Sequence, residues 1–170
     1  MKKYLIMALA VIVTYGAINW LFPFSPILLN SKITYQSNEQ NVDAYLNING
    51  TLENIQLTSI NNPPEFQRIA YGISQLWAME KEPVKINLKD LTVIEQQLQQ
   101  SKDYLNNLMK DSPELASLIA IENNINEILQ DIKKIMDNQW TSRFFIQDTI
   151  SNIRNSSFEA LTHLEEFLLN

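Results

Sequence analysis

"LIAIENNINEILQDIKKI", residues 118–135, is the stretch on which the fold turns. Leu118, Ile121, Ile125, Ile128, Ile132 and Ile135 recur at steps of three, four, three, four and three, so they form one apolar seam along a helix. A coiled coil between chains and a bundle within one chain both use this period. Leu115, Ile119, Leu129 and Met136 widen the stripe beyond a two-position seam. The strict repeat also stops short of the ~3 to 4 heptads that a free-standing coiled coil requires. The seam is therefore read as the core of an intrachain bundle, with homo-oligomerisation through helices as the alternative.

Outward from the seam, residues 90–170 contain no glycine and only Pro113, with apolar residues at steps of three and four. Three helices are predicted, from about Leu91 to Lys110, Pro113 to Asn138 and Ser142 to Leu168. Ser112-Pro113-Glu114 supplies a cap, a preset φ angle and a first-turn acid for the second, and Thr141 or Ser142 can cap the third. Leu91, Ile94, Leu98, Leu105 and Leu108 form one expected wall. Phe145, Ile146, Ile150, Ile153, Leu161, Leu164 and Leu168 form the other. Short links between long helices make neighbours antiparallel, in a bundle about 30 to 40 Å long. Ser156 and Glu159 carry the spacing of a second capping box, which would split the third helix.

Upstream, residues 27–88 change character. "KITYQ" (32–36) and "AYLNINGTLENIQLTSI" (44–60) read as strands, and Asn49-Gly50 is the standard two-residue signal for a hairpin turn. The flanking alternation is imperfect, since such a turn sets Leu46 opposite Glu53. "NNPPEF" (61–66) reads as a helix start, with Asn62 as cap, Pro63 at the first helical position and Glu65 closing a capping box. Phe66, Ile69, Ile73 and Leu76 follow at helical spacing, Pro83 ends that helix, and "VKINL" (84–88) alternates like one more short strand.

The first 26 residues, "MKKYLIMALAVIVTYGAINWLFPFSP", include an uncharged run from Tyr4 to Phe22. At ~1.5 Å per residue that run spans about 28 Å, close to the hydrocarbon thickness of a bilayer and longer than the ~7 to 15 residues of a signal-peptide core. Tyr4 and Trp20 sit where amphipathic rings favour the headgroup level, and Pro23 and Pro26 stop the helix. A retained anchor is the preferred reading, with secretion after signal cleavage as the alternative. Lys2 and Lys3 precede the run, so the positive-inside tendency keeps the N-terminus in the cytoplasm and sends the rest across. With Met1 to Lys3 inside, a signal passed inward requires a partner's membrane segment.

Composition narrows the chemistry. The chain has 170 residues, no cysteine and a net charge of −6. Disulfides, thiolate metal sites and a lipidated cysteine are thereby excluded, and phosphate backbones are repelled, so no nucleic-acid partner is expected. Only Gly16, Gly50 and Gly72 occur, too few for phosphate-cradling loops or nucleophile turns. His163 shares a helical face with Glu159 and Glu166, but a bundle metal centre uses paired Glu-x-x-His sets, so this is read as a solvated charged face with no metal. No acid among the nineteen is singled out for hydrolysis, and no catalytic residue and no cofactor are expected. Trp77 and Trp140 are the candidate ligand or partner contacts. The sequons at Asn49 and Asn155 carry no meaning in a bacterium, the source to which the abundance of asparagine and isoleucine points.

The expected fold class is mainly α with an α+β component. One transmembrane helix (1–24) leads into a small β-hairpin and helix region (25–88) and then an antiparallel three-helix bundle (89–170). The expected role is a membrane-tethered extracytoplasmic protein-interaction domain of the bacterial cell envelope, non-catalytic, whose partner is an envelope or membrane protein. The alternative is an extracytoplasmic small-ligand-binding or sensor domain acting through a membrane partner.

Overall fold

The computed structural model describes residues 2–26, 32–36, 43, 46–48, 50–51, 64–74, 82–111, 116–138 and 140–169. In chain order these form α1 (Lys2–Leu21), β1 (Ile33–Tyr35), α2 (Pro64–Ser74), β2 (Val84–Ile86), α3 (Leu88–Asp111), α4 (Ala116–Asp137) and α5 (Arg143–Leu169). The described residues are mostly helical, with one two-stranded antiparallel ribbon among them.

α3 begins where β2 ends because Asn87 and Asp90 satisfy each other. The Asn87 amide donates to the Asp90 carboxylate at 2.9 Å, and the Asp90 amide donates to the Asn87 side-chain oxygen at 3.0 Å. This reciprocal cap starts the helix at Leu88, three residues earlier than the apolar spacing alone indicates, and takes Leu88 out of the predicted strand. Ser142 caps α5, its hydroxyl accepting from the Phe145 amide at 3.3 Å. α5 runs unbroken through "NSSFE". Ser157 bonds back to the Ile153 carbonyl at 2.6 Å and Ser156 reaches Glu127 at 3.2 Å, so neither serine starts a new helix.

Of the expected Asn49-Gly50 hairpin, Asn49 and residues 52–60 lie outside the described residues, and the described ones are not strand. Residues 46–48 and 50–51 are helical, and the Thr51 hydroxyl donates to the Asn47 carbonyl at 3.1 Å. The mismatched flanks explain this: a local helical turn satisfies its own backbone, whereas a hairpin there lacks two matched apolar faces. β1 pairs instead with distant β2, in the register Ile33 opposite Ile86, Thr34 opposite Lys85 and Tyr35 opposite Val84.

The seam lies wholly inside the chain. Leu118 is 1% exposed, and Ile121, Ile125, Ile128, Ile132 and Ile135 are fully buried. Cross-helix bonds fall at equal distances from the turns, Lys102 to Asn126 at 2.7 Å and Ser156 to Glu127 at 3.2 Å, as antiparallel neighbours require. Three helices do not complete the bundle, however. The main contacts run α2 on α3, α3 on α4, α4 on α5 and α2 on α5, a ring of four with α3 and α5 on its diagonal. α2 has 11 residues, about 16 Å, and covers only the half where Arg68 meets Tyr104 and Phe66 meets Phe167. The other half is closed by Ile33 and Ile86 of the ribbon and by Phe24, all buried in the same core. The described residues of segments 25–88 and 89–170 therefore share one interior.

Candidate functional site at the α4–α5 turn

α1 has no buried residue, yet the chain just after it dives into the core. Trp20 is 55% exposed and Phe24 is 2% exposed. The junction is held by two edge-to-face ring pairs, Trp20 with Phe144 at 5.7 Å and Phe22 with Trp140 at 5.8 Å. Arg143 adds a polar clamp. Its Nε donates to the Trp20 carbonyl at 2.8 Å, and its guanidinium lies 5.5 Å from the centre of the Trp20 ring. The end of a helix has unpaired carbonyls, and Trp20 presents one of them to a cation.

The turn itself is built on Asn138. Its side-chain oxygen accepts from the Trp140 amide at 3.1 Å, while its carbonyl accepts from the Thr141 amide and the Thr141 hydroxyl. These bonds hold Trp140 outward, 47% exposed, beside an open cleft of ≈ 500 Å³ lined by Phe22, Lys134, Asn138, Trp140, Thr141, Ser142 and Phe145. None of these residues is acidic. Lys134 is the charged lining residue, and it is bonded to Asp131 at 2.6 Å. Rings, an amide and hydroxyls around a cation suit binding.

Trp140 thus lies at the mouth of this cleft, whereas Trp77 lies outside the described residues. Phe145, expected in the bundle wall, is 46% exposed at the rim, and Ile119, expected to widen the core stripe, is 44% exposed. Both sit one position beside a buried residue, Ile146 and Leu118 respectively, on the edge of the apolar face. His163 meets Glu166 at 3.2 Å on α5, and no third His, Asp or Glu joins them to form a metal-binding group among the described residues.

Phe22, expected only as the end of the apolar run, carries the junction with Arg143 and Phe144, for which the sequence alone held no expectation. The one local signal is Phe144-Phe145, two adjacent large rings that lie at the edge of the apolar face.

Away from the cleft, Arg154 is 9% exposed and donates to the Tyr35 hydroxyl at 3.2 Å, tying α5 to β1, while its Nε has no partner among the described residues. Burial raises the Tyr35 pKa above its ordinary value, and the adjacent Arg154 charge and hydrogen bond offset this in part. Comparison with known protein families, curated proteins and solved structures finds no match for this chain.

Proposed function

We propose that this chain is a membrane-tethered, non-catalytic interaction module on the outer face of a bacterial cytoplasmic membrane, with α1 as a retained single-pass anchor. The observation that carries the reading is the contrast within one molecule. α1 is a 20-residue apolar helix with no buried residue, attached to a bundle whose own seam is fully buried. Exposing such a helix to water is costly, and lipid removes that cost. One N-terminal helix of this length and composition also fits a signal sequence. The junction favours retention: Trp20 and Phe22 pack on Phe144 and Trp140, contacts for which a cleaved leader has no use.

Lys2 and Lys3 orient the N-terminus inward, which places the bundle outside. Tethering confines the bundle to two dimensions and raises its effective concentration toward an envelope or membrane protein without new contacts. The test uses intact native membranes. The chain should resist alkaline extraction, its C-terminal part should be cut by protease added from outside, and chemical crosslinking should recover a discrete partner. Protection of the C-terminal part from external protease, or a chain released by alkali, would overturn the reading.

The cleft at Trp140 favours a second reading, a small-ligand sensor acting through a membrane partner. In that case a ligand screen on the full chain finds a compound that quenches Trp140 and raises Tm by mass action.

A further inference from the structure

Depth in the bilayer follows from the junction. From Lys2 to Trp20 a helix rises about 27 Å, so an anchor with its lysines at the inner boundary puts Trp20 at the outer boundary of a ~30 Å hydrocarbon layer. Arg143 Nε is bonded to the Trp20 carbonyl at 2.8 Å and the Phe144 ring lies 5.7 Å from the Trp20 ring. The start of α5 therefore shares that depth. There it exposes Phe144 at 60% and Phe145 at 46%, with Trp140 at 47% just before it.

Three large exposed rings on one short turn are unfavourable in water, and interfacial lipid is the medium in which such rings are enriched. The polar groups match as well. Among the described residues no acid lines the cleft, and beyond the bond to Trp20 the remaining N–H donors of Arg143 have no acceptor there. Charge-assisted bonds from a guanidinium to phosphate suit such donors. The net charge of −6 repels an anionic surface as a whole, so the contact is carried by the rings and by individual phosphates of zwitterionic lipid.

We infer that the α4–α5 turn is a second membrane contact, with Trp140, Phe144 and Phe145 seated in the headgroup layer beside the anchor and Arg143 on a lipid phosphate. This rests on the anchor reading of α1. It fixes how the bundle stands: the Asn138–Phe145 end faces lipid, and the end formed by α2, the start of α4 and the finish of α5 faces away, where partners reach it.

The chain has no cysteine, so one introduced thiol labels one site. Full-length Phe145→Cys and, on the exposed face of α4 about 21 Å along the helix from the turn, Asn123→Cys, each carrying an environment-sensitive fluorophore, are reconstituted in phosphatidylcholine vesicles with or without shallow brominated lipid. The label at 145 should be quenched by brominated lipid and be several-fold less accessible to aqueous iodide than the label at 123. Adding Arg143→Ser and Phe144→Ser should abolish the lipid quenching while the chain still resists alkaline extraction. Equal iodide access at both sites in extraction-resistant chains would overturn the lipid contact and leave the anchor standing. Shielding from iodide without lipid quenching would mean that protein, a second copy included, covers the turn, and would equally overturn it. Release by alkali would defeat the anchor reading and this one together.

Discussion

Ile125 has no accessible surface at the middle of the seam. Ile125→Asp places an unpaired charge there, a cost of about 3–5 kcal/mol or more against a typical total stability of ~5–15 kcal/mol. The full chain in detergent should lose its cooperative melt or melt far lower, and unchanged melting would contradict the helix phase. Tyr35 makes a different prediction. Its folded pKa lies above the unfolded value of ~10, so the neutral phenol is favoured in the fold. That stability is fully present below the unfolded pKa and is lost as pH rises through the higher folded value. Melting followed from pH 8 to 11 should show a fall at the alkaline end that is smaller in Tyr35→Phe. At neutral pH the same variant leaves an Arg154 donor unpaired and should cost about 1–3 kcal/mol.

At the scale of elements, the close approach of α2 to α3 depends on Gly72. A Cβ there would fall on the Ser101 hydroxyl and lie 3.3 Å from Ser101 Cβ. Alanine gains about 1 kcal/mol of helix propensity but must displace Ser101, whose hydroxyl is bonded to the Gln97 carbonyl, and overpacking typically costs ~1–3 kcal/mol. Gly72→Ala should therefore lower Tm, and adding Ser101→Ala should restore part of it, a coupling that a double-mutant cycle reads directly. The ribbon shows the limit of local patterns. "ITY" and "VKI" both read correctly as strands, yet their pairing spans 48 residues of chain between Tyr35 and Val84 and was not evident from either. Three-residue strands are marginal alone. They persist because Ile33 and Ile86 are buried in the bundle and Tyr35 reaches Arg154.

For the whole molecule, the described contacts join the end of α1 to the bundle, so disturbing the junction should alter orientation rather than folding. Trp20→Ala with Phe22→Ala removes both ring pairs. The bundle should keep its melting to within about 1 to 3 kcal/mol, two pairs at ~0.5 to 1.5 kcal/mol each, while protease cuts near Trp140 more readily. Unchanged cleavage there would mean that the junction does not restrain the bundle. The sequence by itself determined the long helices, the apolar N-terminal helix and the inward face of the seam. Each is recorded in spacing and charge over neighbouring residues, where helix period and solvation act. Only the tertiary structure decided what closes the bundle and what gathers at its end. α2 and the ribbon cover the open side because their apolar faces meet it across long stretches of chain, and Phe22, Trp20, Arg143 and Phe144 converge through contacts spanning more than a hundred residues. No periodicity records such a meeting, because it depends on where packed helices end in space.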